Sequence, residues 1–333
     1  MSNVRFGLWY DFRNPPGPRA PSFEDLYASV LDQIVTAEGL GFDSVWLTEH
    51  HFVDDGYTPS PLVLAAAIGA RTRRMRIGTN LIILPLHDPV RIAEDAATLA
   101  ILTGGRFDLG VAIGYREAEF AAFGRSLKQR PSLMEEAVEV IRRAWRGDAL
   151  NFHGKRFTYG DVRVTPQPAQ PPGLFIGGMV EPAIERVARI GDGLLSTGGI
   201  GHELYVEALR RQGRDPREGR IAAGSWAIIA EDPAAEAEKL APCILHQTNQ
   251  YIRWGAFGPP ESTPEFTDAP TAIENGLYEL WTADEAVRHL SSMLEQYPQI
   301  EDVHFWAQFP GEPVESGSRR MAYIAEHVLP RLR

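Results

Sequence analysis

Runs of aliphatic and aromatic residues that read as strands recur eight times along the chain, separated by segments whose apolar residues fall at helical spacing. The runs are RFGLWYDF (Arg5 to Phe12), SVWLTEH (Ser44 to His50), RIGTNLIIL (Arg76 to Leu84), FDLGVAIG (Phe107 to Gly114), LFIGG (Leu174 to Gly178), GLLST (Gly193 to Thr197), AAGSWAIIA (Ala222 to Ala230) and DVHFWAQF (Asp302 to Phe309). This alternation predicts a parallel sheet covered by helices, and eight strands close it into a (β/α)8 barrel. A length of 333 residues would also suit two domains, but barrels of this class reach that size as one. Residues 1–333 are therefore read as a single α/β domain.

Helix starts carry their own signals. Ser22 precedes an apolar-periodic stretch with Asp25 three residues on, Thr282 stands in the same relation to Glu285, and Asp88 is followed by Pro89. Two segments interrupt the alternation. Residues 151–173 read as a hairpin followed by a Pro-rich connector, since proline at that density cannot sustain a ladder. Residues 238–280 read as a helix, a long Pro- and Gly-rich loop and a second helix. Their position before the last barrel helix makes them either a lid at the mouth or a plain surface excursion.

Forty-four acidic against 33 basic residues give a net charge of -11, which repels nucleic acid and anionic membranes in the absence of a basic patch. The basic residues are 30 Arg and 3 Lys, a skew expected of a GC-rich bacterial genome. The single cysteine, Cys243, excludes an intrachain disulfide and any multi-thiolate metal site. The N-terminal residues run into an apolar strand without a basic leader, and no stretch approaches a membrane span, so a cytoplasmic protein is expected.

In such a barrel the chemistry sits at the C-terminal ends of the strands. The most polar of these ends is TEHHF, with Glu49, His50 and His51. Side chains alternate along a strand, so Glu49 and His51 share one side and His50 takes the other. Neighbouring histidines so placed do not ligate one ion, and Asp11 is the one further strand-end acid, so no metal is expected. G-x-S-x-G is absent, Cys243 lies in a helical stretch, and the glycines around Phe107 to Gly114 flank a strand without forming a dinucleotide turn. Gly177 and Gly178 end a strand just before a helix, which makes either a phosphate cradle or simple turn geometry. Physics alone thus reaches a phosphate-bearing cofactor and a histidine acid or base, His50, in a mouth lined by Trp and Tyr.

The stretches AEGLGFDSVWLTEHHF (Ala37 to Phe52), Arg76 to Gly124 and FIGGMVEPAIERVARIGDGLL (Phe175 to Leu195) resemble the luciferase-like flavin-dependent monooxygenases, over nearly the whole chain. The resemblance implies reduced FMN at the mouth, reacting with O2 to a peroxyflavin that oxygenates a small organic substrate, with the flavin supplied by a separate reductase. It implies His50 as the catalytic histidine and His51 as its hydrogen-bonded support. A non-proline cis peptide is implied at Asn80 and Leu81, beneath the flavin. The ring is expected against Ala112, with Gly114 and Tyr115 near it, and the phosphate at Gly177, Gly178, Met179 and Val180.

Some of the family's cofactor residues are replaced. The luciferase phosphate arginine is matched by Ile113, its reactive cysteine by Ala112, and its phosphate-binding serine and threonine by Val180 and Ala183, which leaves Arg116 as the candidate cation and implies weak flavin binding. Tyr10, Trp226 and Trp306 are the candidate substrate residues, suited to an apolar or aromatic molecule. Family members are commonly homodimers, and the small residues of Ser60 to Met75 are compatible with that. Two alternatives accompany this reading: hydride transfer with a deazaflavin on the same barrel, and a flavin-binding protein without turnover.

Overall fold

The computed structural model describes residues 4–333 apart from residue 19. Eight parallel strands form a closed barrel: β1 (Arg5–Tyr10), β2 (Ser44–Leu47), β3 (Arg76–Thr79), β4 (Phe107–Ala112), β5 (Gly173–Gly177), β6 (Gly193–Thr197), β7 (Ile221–Ser225) and β8 (Ile300–Trp306). Neighbours pair in order around the ring, with β8 between β1 and β7 and with Ile77 and Gly78 of β3 opposite Phe107 and Asp108 of β4. This is the expected (β/α)8 barrel.

Alternation along each strand divides the interior into two layers. Phe6, Leu8, Val45, Leu47, Val303 and Phe305 point outward into the main apolar core with the helices. Trp9, Trp46, Phe175, Leu195 and Trp306 belong to a second cluster that fills the barrel and its mouth. Room for these rings comes from small residues opposite them: a Cβ on Gly78 would collide with the Trp46 indole. Among the aromatics lies one buried polar chain, in which Asp302 Oδ1 accepts from Trp46 Nε1 at 2.9 Å and pairs with His304 Nδ1 at 3.2 Å.

The helices begin where the capping residues stand. Ser22 accepts from the Asp25 N–H at the start of α1 (Phe23–Leu40). Asp88 accepts from the Val90 and Arg91 N–H groups of α3 (Pro89–Leu102), which lies beside α2 (Pro61–Arg71). A short α4 (Glu117–Ala122) and α5 (Arg130–Ala144) follow β4. Next come a hairpin of Leu150–His153 with Thr158–Val162 and then α6 (Glu181–Ile190) and α7 (His202–Arg211). Thr282 and Glu285 form a reciprocal capping box ahead of the barrel helix Ala283–Gln296, and Val314–His327 closes the ring after β8.

Several runs differ from their sequence expectation, and the third breaks at Asn80–Leu81 before resuming as Ile82–Ile83. The first two strands end at Tyr10 and Leu47 because the chain beyond turns to pair with a loop, Thr58 N–H donating to Asp11 O and His50 N–H to Thr58 O. The run Ala222 to Ala230 breaks at Trp226: its second part, Ala227–Ile229, leaves the barrel and pairs with Glu279–Trp281 in a separate two-stranded sheet. Between those two strands lie α8 (Pro233–Trp254), a loop and α9 (Ala269–Glu274). Among the described residues, no helix is long and apolar enough to cross a membrane.

Candidate active site

Beyond β2 the chain is extended, and Glu49 and His50 turn to opposite sides. His50 meets Glu119 of α4: Nδ1 lies 2.8 Å from Glu119 Oε1. The same oxygen accepts the His51 main-chain N–H at 2.9 Å, so it acts as an acceptor and the imidazole donates its Nδ1 proton. Nε2 is then the free basic nitrogen, and it faces the Tyr115 hydroxyl at 3.0 Å. Burial raises Tyr115 well above the ordinary phenol range, which keeps that hydroxyl protonated.

Aromatic rings enclose this histidine. Tyr57 and Trp254 each stand 4.8 Å from the His50 ring, and α8 supplies Tyr251, whose hydroxyl bonds that of Tyr57 at 2.9 Å. Trp226 packs at 5.9 Å against Trp306, which stacks on Trp9 at 4.3 Å. Beneath them Arg13, fully buried, donates to Asp55 at 2.8 Å, and His246 Nε2 of α8 approaches the same carboxylate at 2.7 Å. Burial, only partly countered by Arg13, pushes the Asp11 carboxyl up to about 7.

The residues assigned to the cofactor lie on one side of the mouth. The Asn80–Leu81 peptide is cis, and Asn80 Nδ2 is 2.9 Å from Nε2 of His304. Leu81, Ala112 and Gly177 converge so closely that a Cβ on Gly177 would lie 2.9 Å from Leu81 Cδ2 and 3.3 Å from Ala112 Cβ, a smooth apolar floor made of backbone and small side chains. Gly114 has φ +68°, a conformation that favours glycine. Gly178 packs on Ala183, and Met179 and Val180 are exposed at the start of α6.

Four expectations are corrected. Tyr10 is not at the mouth: strand alternation sends it outward, where its hydroxyl bonds Gln33 at 3.0 Å, and Trp9 takes the inward place. His51 makes no side-chain bond to His50; its ring faces Glu49, with Nε2 3.3 Å from Oε1, and only its main chain supports Glu119. Arg116 is committed to the His51 and Phe52 carbonyls and lies 4.9 Å from the Trp254 ring, so it is not a spare cation for a phosphate. The premise that Asp11 alone could join a metal set also fails, because His87, one turn past the third strand, brings Nε2 to 2.8 Å from Glu49 Oε1. Burial would raise Glu49, but His87 and His51 outweigh it and hold the carboxyl at about 2.

Glu119, Tyr57, Tyr251, Trp254, Arg13 and His304 are site residues that the strand-end rule does not select. Glu119 is recoverable from YREAEF, where a glutamate falls in the first turn of a helix directly after the fourth strand.

Comparison with known proteins shows the family. The profile of the luciferase-like monooxygenase family matches residues 4–296. The chain belongs to that family. The structure of the monooxygenase RslO1 from Streptomyces bottropensis superimposes with a TM-score of 0.82 at 25% identity, over 99% of this chain and 100% of that one. The FMN complex of the oxygenating constituent of 3,6-diketocamphane monooxygenase from Pseudomonas putida gives 0.79 at 17% identity, covering 100% and 99%, a likeness of fold. An F420-dependent glucose-6-phosphate dehydrogenase of Amycolatopsis mediterranei is 33% identical over 187 residues, 54% of this chain and 56% of that protein. This luciferase-like chain thus matches little more than half the length of its curated relatives. The relatives are oxidoreductases that use FMN or the deazaflavin F420.

Proposed function

We propose that this luciferase-like protein is a flavin-dependent monooxygenase that uses reduced FMN and O2, supplied with reduced flavin by a separate reductase, to oxygenate a small apolar or aromatic substrate. The observation that carries the reading is the pocket around His50: one basic nitrogen, Nε2, in an aromatic enclosure whose nearby cations, Arg13 and Arg116, are already engaged by Asp55 and by main-chain carbonyls. Such a wall suits a ring system better than a phosphorylated sugar, which needs free cationic donors. The full-length likeness to a monooxygenase supports the same reading.

The apolar floor of Leu81, Ala112 and Gly177 fits a planar tricyclic ring, and Gly178, Met179 and Val180 would hold the phosphate end through main-chain groups. Bound reduced flavin supplies the two electrons that let one oxygen atom enter the substrate while the other leaves as water. His50 holds or takes a proton at Nε2, Tyr115 passes or retains one at its hydroxyl, and Glu119 keeps the imidazole in the tautomer that leaves Nε2 basic. Tyr251 and Trp254 of α8 cover His50 and exclude water, so the 238–280 segment serves as a lid. Pairing of two chains through α2 and α3 belongs to the same proposal, supported by exposed Val63, Ile101 and Leu102.

A second reading, hydride transfer with F420, is favoured by the 33% identity to F420-dependent dehydrogenases over 187 residues. Anaerobic titration with reduced FMN and with reduced F420, followed by labelled O2 and candidate aromatic substrates, decides between them. Binding of FMN and label in the product are expected; binding of F420 alone, with no label incorporated, would replace the first reading by the second.

A further inference from the structure

We propose that Glu49, His51 and His87 form a binding site for a divalent transition ion of the zinc type, on the outer side of the β2 end and separate from the mouth. The ligand atoms of the three residues all lie within 4.8 Å of one another. Glu49 Oε1 stands 2.8 Å from His87 Nε2 and 3.3 Å from His51 Nε2. Two ligand atoms about 2.1 Å from one ion lie about 3.0 Å apart at a right angle and about 3.4 Å apart at the tetrahedral angle, so each imidazole already stands from the Glu49 oxygen at about the spacing of a coordination shell, and the two imidazoles need close only on each other.

The set is built by the fold. Strand alternation puts Glu49 and His51 on one side while His50 faces the mouth. A single 3-10 turn, Leu84–Leu86, then delivers His87 just before Asp88 caps α3. The Ile83 N–H donates to Glu49 Oε2, which fixes the carboxylate with Oε1 toward the two imidazoles, the outer-shell support that ligating carboxylates ordinarily have. His51 Nε2 is buried and makes no well-aligned hydrogen bond at 3.3 Å.

Two imidazoles and one carboxylate are a borderline donor set suited to zinc, cobalt or nickel and poorly suited to magnesium or calcium, which prefer oxygen. The His87 side chain, 26% exposed, leaves a path for the ion and a position for water. Arg125 opposes a positive charge there and Asp95 favours it. An ion would pin His51, whose main-chain N–H shares Glu119 Oε1 with His50, so occupancy is linked to the geometry of the catalytic histidine without touching substrate. The rival is a hydrogen-bonded His–Glu–His triad that takes no ion.

The test uses the full chain stripped of metal and titrated with Zn²⁺ by calorimetry, and with Co²⁺ by its visible d–d absorption. One ion per chain, a rise in Tm, and a loss of affinity of at least about tenfold in Glu49→Gln and His87→Ala are expected. His153→Ala, at an exposed histidine, should bind as the parent does. Wild type that binds neither ion, or His87→Ala that binds both undiminished, overturns the proposal. Should a variant fail to fold, a zinc-edge anomalous map of the wild-type crystal gives the answer directly, and density anywhere other than between Glu49, His51 and His87 also overturns it.

Discussion

Oε1 of Glu119 lies 2.8 Å from Nδ1 of His50, and in this relationship a residue of a short helix after the fourth strand sets the tautomer of a residue after the second. His50→Ala removes the proton acceptor and is expected to lower kcat by about 10²- to 10⁴-fold. Glu119→Ala leaves the imidazole in place but unanchored, so its loss should be smaller and should appear with an altered pH profile. Steady-state kinetics across pH, with circular dichroism as a check on folding, measure both. An unchanged kcat in His50→Ala would remove it from the chemistry.

Tyr115→Phe deletes the one hydroxyl facing Nε2 of His50. Losing a single neutral hydrogen bond costs about 1 kcal/mol, so Tm should fall modestly while the pH dependence of kcat/KM shifts. A profile superimposable on the parent's would show that the hydroxyl plays no part in proton handling.

Weak flavin binding follows from the engagement of Arg116 by main-chain carbonyls and the Trp254 ring. The purified protein should carry little flavin, and FMN should bind with a Kd on the order of micromolar or weaker, only slightly tighter than riboflavin. Equilibrium dialysis of the two flavins reads the contribution of the phosphate. Copurification of stoichiometric FMN would contradict the prediction.

Burial, with Nε2 2.6 Å from Ser196 Oγ, lowers His202 to about 4. Below its ordinary value the unfolded chain takes up a proton that the folded chain refuses, so stability rises with pH between about 4 and 6.5 and is lost on acidification through that window. The full shift corresponds to roughly 3 kcal/mol. Urea denaturation at a series of pH values should show this slope in the parent and a flatter one in His202→Gln.

Tyr10→Phe removes the hydroxyl that bonds Gln33 on the outer side of the barrel. Stability should drop by about 1 kcal/mol and KM should not move. A large KM change would return Tyr10 to the substrate pocket.

The barrel was legible because period-two runs and helix caps are local signals, read from a few adjacent residues each. Ser22, Asp88 and Thr282 act as caps where the sequence places them. The split of the polar end of β2 was legible too, because alternation separates His50 from Glu49 and His51. Contacts between elements were not. Glu119 reaches His50 across 69 positions, Tyr251 reaches Tyr57 across 194, and no pattern in one segment announces the other. A strand-end tyrosine looks the same in sequence whether it faces in or out, and only the packing decides: Trp9 fills the barrel and Tyr10 packs among the helices. His87 was missed because it follows a turn instead of ending a strand.

The chain leaves the barrel at Trp226 and returns through Glu279–Trp281, which runs directly beside Ala227–Ile229. Departure and return therefore share one narrow doorway. Such an arrangement gathers the Tyr251 and Trp254 cover of His50 into a single excursion, so a change in the length of α8 is felt at both banks of the mouth at once, where His246 meets Asp55 and Tyr251 meets Tyr57.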